Sequence, residues 1–396
     1  MGGSKLGRAD LTRTAVLAAL GRHGPMSRAA IARELGLSPA AVGQVIGRLI
    51  KQRLVEELDF GPSTGGRPGH RLGLVGDAGS AIGAKITLDK LTMVKVRLDG
   101  QVMASAVEPI DAREPFVVDR CGTYLREFAR TEDVPLLGVG ICVPGVVDRP
   151  DLGNVDVSAL GWGRVPLGGH LRAMLGVPIL VENGVKALAF GECLYGLGRT
   201  RDTFAVVTIG RGVGFAWVTD GTVRRGPHGS AGEIGHLVVD PRGPFCTCGN
   251  RGCLEAFAGE DGLVRAGQSS GALAADEGLD RLAALADAGD RGAVAVYRRA
   301  ARTLGSFLAG VLAVLDPEVL LVAGEGTIAW RHWEKPFLVT LRDQTPEWAR
   351  TVPVEIDSWE DTTWAQGAAA MVLATPFDES PVAGTQRQQV LARLNQ

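Results

Sequence analysis

Cys246, Cys248 and Cys253 fall within eight residues, and His236 stands ten residues before the first of them. The chain has only six cysteines in 396 residues, so half of them are crowded into one short loop. One imidazole and three thiolates make a Cys3His donor set, a composition that zinc takes in structural sites. Thiolates are soft donors and select zinc over magnesium or calcium. Glycine and asparagine between Cys248 and Cys253 permit the tight turn that converging ligands need. Nothing here resembles a C-x-x-C redox pair, so a dithiol switch explains the crowding poorly. A site closed by four protein donors is structural rather than hydrolytic. Cys121, Cys142 and Cys193 are scattered in apolar contexts and read as core. Two carboxylates flank the loop, Glu233 in AGEIGH and Glu255 in GCLE. With the second ring nitrogen of a metal-bound His236, they offer a set able to hold the hydroxyls of a polyol.

A different chemistry sits at the other end of the chain. Residues 1–75 contain eleven Lys/Arg against five Asp/Glu, a net +6, while the remaining residues carry a net −8. A basic head on an acidic body points to a polyanionic partner for the head. Leu11 to Gly21 is apolar at helical spacing. Ser27 is placed to cap a second helix, Arg28 to Leu35, which stops at Gly36. Ser38 caps a third, with Pro39 at its first position, where a missing N–H costs nothing. Ile31, Leu35, Leu37, Val42, Val45, Ile46 and Leu49 form one apolar seam, the pattern of a helix-turn-helix. The outward positions of the third helix include Ser38, Gln44 and Arg48, among small side chains that permit close approach. Gln44 suits an adenine edge, and Arg48 a guanine or a phosphate. LVEELDF and HRLGLV have strand character, and GPSTGGRPG joins them as a wing. Arg67 at its slender tip suits a narrow A·T minor groove.

These two groups must be positioned by a large body. A chain of 396 residues, 45% hydrophobic and 22% charged, has apolar material for two or three globular domains. No apolar run approaches the ~20 residues that span a bilayer, and MGGSKLGRADLTRT has no secretory apolar core. The expectation is a cytoplasmic protein without membrane contact. Residues 79–107 read as successive strands, a helix follows near Phe116–Arg130, and LLGVGICV is a further strand. Alternating strands and helices indicate α/β. A long amphipathic helix breaks at Asp316-Pro317 and runs into the strand VLLVAGEG. DTTWAQGAAAMVLAT is another helix, and the tail from Pro376 reads as loose until a short final helix, QQVLARL.

GEIGH…CTCGNRGCLE closely resembles the ROK family of bacterial sugar kinases and sugar-responsive repressors. Leu137 to Asp148, ALGWGRVPL, GVPILVENGVKALAFGE and GPHGSAGEIGH follow in the family order. STGGRP in the wing resembles the repressor branch. The resemblance implies an actin-like (ribonuclease H-like) two-lobed ATPase-type α/β body preceded by a winged helix-turn-helix. It implies structural zinc on His236, Cys246, Cys248 and Cys253, and sugar contacts from Asn183, Glu233, His236 and Glu255. The expected divisions are 1–76 for the DNA-binding head, 77–190 completed by 362–376 for the first lobe, 191–361 for the second, and 377–396 for a tail.

The chain departs from the kinase pattern at informative places. Family kinases follow the asparagine with an aspartate that serves as general base; here the position is Gly184, which has no proton acceptor. The lost contact to sugar is a charged hydrogen bond worth ~1.5–3 kcal/mol. Lys85 and Thr87 stand where the phosphate loop would have aspartate and glycine. Gly210, Gly212 and Gly214 keep turn geometry, and Val322 to Gly326 is a blurred version of the adenosine-side motif. Lys186 replaces a frequent asparagine and reads as a lysine on a solvated helix face.

The expected function is therefore a DNA-binding transcription regulator of carbohydrate genes, a repressor with a sugar-sensing, catalytically inactive kinase-like body. A homodimer or homotetramer would read a palindromic operator. The alternative is an ATP-dependent sugar kinase carrying a DNA-binding head. A ligand-independent adaptor and an activator role stay open at this point.

Overall fold

The computed structural model describes residues 8–60, 70–130, 134–357, 360–377 and 382–395. The chain divides into two compact units, one of Met1–Thr200, Gly226–Ser230 and Asp361–Gln396, the other of Arg201–Arg225 and Ala231–Glu360.

The first unit opens with α1 (Arg8–His23), β1 (Met26–Ser27), α2 (Arg28–Glu34), α3 (Pro39–Lys51), β2 (Val55–Phe60) and β3 (His70–Leu74). Ser27 Oγ accepts from Ala30 N at 3.2 Å and Ser38 Oγ from Ala41 N at 3.3 Å, so both expected caps form. α1 runs past the glycine expected to end it and stops at Gly24, whose φ of +69° suits glycine. Ile31, Val42, Ile46 and Leu49 are fully buried, whereas Leu35 and Leu37 of the same seam are half-buried. β3 pairs antiparallel with β1 and β2, completing a winged helix-turn-helix.

The same unit continues through β4 (Ser80–Ile86), β5 (Lys90–Arg97), β6 (Val102–Pro109), α4 (Val117–Phe128), β7 (Leu136–Val143), β8 (Val146–Val147), β9 (Val155–Val157), β10 (Trp162–Val165), α5 (Leu167–Leu175), β11 (Ile179–Asn183) and α6 (Gly184–Tyr195). Its main sheet has the order β11-β7-β4-β5-β6. β7 and β11 run parallel to β4, while β5 and β6 are antiparallel neighbours. The parallel strands are buried along almost their whole length, as their continuous apolar runs require.

The second unit contains β12 (Phe204–Ile209), β13 (Val213–Thr219), β14 (Thr222–Val223), α7 (Glu255–Ala258), α8 (Glu260–Ser269), α9 (Leu279–Asp287), α10 (Arg291–Leu315), β15 (Leu320–Ala323), α11 (Trp330–Gln344) and β16 (Val354–Ile356). Its sheet order is β14-β13-β12-β15-β16. Counted along the chain, both units therefore build the same sheet, an antiparallel meander of three strands with two parallel strands added beside the first. Asp316 at φ 45° ends α10, and Pro317 prevents continuation.

α12 (Asp361–Leu373) and α13 (Arg387–Leu394) return to the first unit. α12 lies so close on the sheet that a Cβ on Gly83 or Gly140 would fall 1.7 or 1.8 Å from carbonyl oxygens of Ala365 and Ala368. Two sequence-based divisions shift. The first unit extends to Thr200 because α6 stays with its sheet. The C-terminal segment is no separate tail: buried Gln386 donates to Asp151 O and Ile179 O at 2.7 and 2.8 Å, and accepts from Ile179 N. Among the described residues, no helix is long and apolar enough to cross a membrane.

Candidate metal centre and nucleic-acid interface

The second unit brings His236, Cys246, Cys248 and Cys253 together, with their ligand atoms all within 4.8 Å of one another. Cys246 Sγ lies 3.5 Å from His236 Nδ1, and Cys248 Sγ lies 3.7 Å from Cys253 Sγ. Zinc bonds of ~2.3 Å to sulfur and ~2.0 Å to nitrogen imply tetrahedral edges of about 3.5–3.8 Å, so the donors fit that ion in type and these two pairs match its edge lengths. Short backbone bridges shape the loop. Val238 pairs with Cys253, and Phe245 with Arg251. Gly252 has φ +70°, and a Cβ there would lie 1.6 Å from Asp240 O, so only glycine fits between the ligands. Burial pushes the Cys253 thiol up to about 12; a bound cation would reverse that by favouring the thiolate. The other thiols follow the core reading in part. Cys121 and Cys142 are buried and pushed up to about 12 by that burial, but Cys193 is only half-buried.

The residues expected to touch sugar are shared between the two units. Glu255 begins α7 and reaches the metal loop: Oε1 lies 4.0 Å from Cys246 Sγ and accepts from Thr247 Oγ1 at 3.4 Å. Its Oε2 accepts from Val213 N at 3.2 Å. His236 turns Nδ1 to Cys246, which leaves Nε2 on the far side of the ring. Glu233 precedes the short turn Ile234–His236, and its carbonyl accepts from His236 N. Asn183 belongs to the first unit and caps α6, accepting from Val185 N at 3.0 Å and donating to Gly145 O at 2.8 Å.

In the head, Ser38, Gln44 and Arg48 are all exposed on α3. Nothing lies within 4 Å of a Cβ built on Gly43 or Gly47, so the helix presents a bare surface between the longer side chains. The Ser38 hydroxyl is engaged as the cap. Arg28 pairs with Glu57 at 2.5 Å and ties α2 to the wing strand. Arg67 lies outside the described residues.

The ROK family model matches residues 82–375, and a MarR family model matches residues 10–61. The chain belongs to the ROK family. It is 28% identical over 306 residues to the xylose repressor of Bacillus subtilis (strain 168), covering 76% of this chain and 78% of that one. It is 28% identical over 350 residues to the DNA-binding transcriptional dual regulator NagC of Escherichia coli (strain K12), covering 83% and 84%. The crystal structure of a ROK family transcriptional regulator, a homolog of the E. coli MLC protein, superimposes with a TM-score of 0.81. That match spans 98% of this chain and 99% of the other at 24% identity, and establishes a shared fold.

Against the ROK kinase pattern, the departures are now physical. A Cβ on Gly184 would lie 3.0 and 3.2 Å from Cζ3 and Cε3 of Trp364, so a side chain at the position of the kinases' general base would press on the indole ring. Lys85 donates to Asp361 Oδ1 at 2.6 Å, Lys90 pairs with the other oxygen, and Lys85 Nζ sits 4.5 Å from the Trp364 ring centroid. An ion cluster thus engages Lys85, the residue that stands where the family kinases would have an aspartate. Burial would raise the Asp361 carboxyl, but bonds from Lys85 and Lys90 hold it below its ordinary value. In the second unit, Glu325 lies against Gly210 and Glu255 against Gly212, with carboxylate oxygens 2.3 Å from each built Cβ.

Sequence reasoning overlooked Trp364, Asp361 and Glu325, because their neighbours come from distant parts of the chain. Lys186 is a correction. It was expected on a solvated face, yet it is fully buried and its Nζ donates to Gly229 O at 2.8 Å. The segment Gly226–Ser230 folds back onto α6 and covers that side chain.

Proposed function

We propose that this ROK protein is a sugar-responsive transcriptional repressor that binds operator DNA and whose kinase-derived body does not transfer phosphate. The observation that carries the reading is the pairing of an exposed winged head with a body whose residue-184 position is a glycine under Trp364. The MarR family match in the head and the similarity to the xylose repressor and NagC support it. Proton transfer at that position has no acceptor on residue 184. Lys85 also brings a cation to the place where family kinases keep an aspartate.

In this reading, α3 enters the major groove with Gln44 and Arg48 toward base edges or phosphates, and Arg67 extends the wing to a minor groove. A homodimer presents two heads to half-sites about 10 bp apart, or a multiple of that. Glu233, His236 and Glu255 hold sugar hydroxyls, and Asn183 is a further contact only as the family resemblance implies. His236, Cys246, Cys248 and Cys253 would hold zinc. When bound, it supplies a cross-link with no open coordination position. That cross-link fixes the His236 ring and keeps Nε2 turned outward. Sugar alters DNA affinity only by its differential affinity for two states of the protein.

The test uses the full-length protein and duplexes enriched by it from random-sequence DNA. Operator affinity is measured with and without D-xylose, D-glucose, N-acetylglucosamine and their phosphates. A ten-fold or larger change with one sugar, about 1.4 kcal/mol, supports the reading. Sustained ATP-dependent phosphorylation of any of these sugars by homogeneous protein overturns it in favour of a kinase.

A further inference from the structure

α6 touches the two regions that a regulator must connect, and it does so within one compact unit. Its N-terminus is Gly184, beneath Trp364, capped by Asn183. One turn on, Lys186 is wholly buried and donates to Gly229 O, whose residue sits at φ +73°. A buried ammonium demands hydrogen-bond partners, so this bond holds the Gly226–Ser230 segment firmly to the helix. Glu233 follows Gly229 by four residues in the chain.

The other end of α6 meets the DNA-binding head. Leu194 Cδ1 lies 3.7 Å from a Cβ built on Gly21 of α1, and Phe377 lies 3.5 Å from the same point. Arg199, just beyond α6, approaches Gly24 at the end of α1 with Nη2 3.1 Å from its built Cβ. Glu192 accepts from Leu197 N at 2.8 Å and fixes the turn that carries Arg199. Arg13 of α1 donates to Asn395 Oδ1 at 3.0 Å, which adds a second tether to the head.

Between its ends, α6 crosses α12 at small residues. A Cβ on Gly191 would lie 3.1 Å from Gly367 Cα, and one on Gly367 would lie 2.5 Å from Ala187 O. At these positions the two backbones approach closely between small residues, and small sliding of packed helices is a recognised way for such a contact to shift. A helix of this length, ~18 Å at 1.5 Å per residue, moves as a rigid rod.

We propose that Lys186 is a positioning residue that makes α6 a strut between the Gly226–Ser230 segment and α1 of the DNA-binding head. Displacement of that segment pulls on Lys186, shifts α6 along α12, and moves the seat of α1. The proposal rests on the reading of the chain as a ligand-responsive DNA-binding regulator, and it assigns the transmission that this reading requires.

Hydrogen–deuterium exchange on the full-length protein tests it without any effector. Lys186→Met keeps the side-chain volume and removes the donor. Exchange in Gly226–Ser230 and in α1 should both rise, by about ten-fold for a local opening, while α4 stays unchanged as an internal reference. A rise confined to Gly226–Ser230 overturns the proposal. Leu194→Ala probes the same strut from the head end and should loosen both α1 and Gly226–Ser230. If α1 alone responds, the strut is likewise excluded, whether or not the Lys186 variant folds. Calorimetry of the wild type with the sugar panel separates the two claims. Absence of any sugar binding removes the effector reading, whereas paired exchange changes would still support the strut.

Discussion

The ring of Trp364 stands over Gly184, with Cζ3 3.0 Å from the point where a side chain at 184 would begin. A glycine here is thus more than a missing base, because any side chain would crowd the ring of Trp364 on α12. Restoring aspartate sets two effects against each other. A carboxylate at the first position of α6 gains about 0.3–1 kcal/mol from the helix N-terminus. Overpacking against a ring buried to 7% exposure costs about 1–3 kcal/mol. Gly184→Asp should therefore lose on the order of 1 kcal/mol in denaturant unfolding. It should also show no ATP-dependent sugar phosphorylation, because Lys85, bonded to Asp361, still stands where the family kinases would have an aspartate. Trp364→Leu costs stability by itself, so the pair is read as a double-mutant cycle: Gly184→Asp should cost less in the Trp364→Leu background than in the wild type, and equal costs would show that the ring is not the obstacle.

Asp361 ties stability to acid pH. Its folded carboxyl titrates below the ordinary range, against burial, because Lys85 and Lys90 bond it. A depressed folded value stabilises the protein fully above the unfolded pKa, near 3.9, and the contribution is lost as pH falls through the folded value. The wild type should accordingly lose stability more steeply than Asp361→Asn below about pH 4, with parallel curves above about pH 5. At neutral pH the variant should be about 1.5–3 kcal/mol less stable, the worth of hydrogen bonds to a charged group, at the lower end because both partners keep some solvent exposure. Denaturant titrations from pH 3 to pH 7 check both statements. Identical pH profiles for the two proteins would refute the assignment.

The metal loop gives a cleaner chemical test. Cys248 is exposed, so Cys248→Ser removes a donor with little packing change, unlike a change at fully buried Cys253. The wild type should retain one zinc per chain through dialysis, and the variant should retain little. Free metal at a hundred-fold excess over its dissociation constant adds about 2.7 kcal/mol to the folded state, so chelation should cost the wild type about that much. The variant should show no further loss with chelator. Elemental analysis and thermal unfolding with and without chelator decide the matter.

The parts of the fold that were legible in the sequence are those specified locally. Ser27 and Ser38 cap helices through residues three positions away, and Cys246, Cys248 and Cys253 belong to one loop. Hydrophobic runs marked β4 and β7, since strands buried on both faces need them. What escaped depends on distant pairing. Lys186 has the composition of a surface position, and only the return of Gly229 to α6 buries it. Asp361 is 276 residues from Lys85, and Gln386 is 207 from Ile179, so neither pair leaves a local pattern. The C-terminal segment read as loose because its anchor is a single glutamine bonded to backbone, which hydropathy does not register.

The recognition helix separates base reading from charge attraction. Gln44 and Arg48 are one turn apart on the exposed face of α3, flanked by the bare positions Gly43 and Gly47. A bidentate contact from either to a base edge is worth about 1–3 kcal/mol of discrimination, and a phosphate contact carries none. Gln44→Ala should thus weaken binding to the enriched duplex by about 1–3 kcal/mol and leave the slope of log affinity against log salt unchanged. Arg48→Ala should either do the same at one base position or, as a phosphate contact, lower affinity for all duplexes and reduce that slope by about one. Anisotropy titrations at several salt concentrations, on enriched and scrambled duplexes, distinguish these outcomes. Glu57→Ala serves as a control, since it frees Arg28 from its ion pair at 2.5 Å without touching α3. Wild-type affinity and specificity in both the Gln44 and the Arg48 variants would place the DNA on another face of the head.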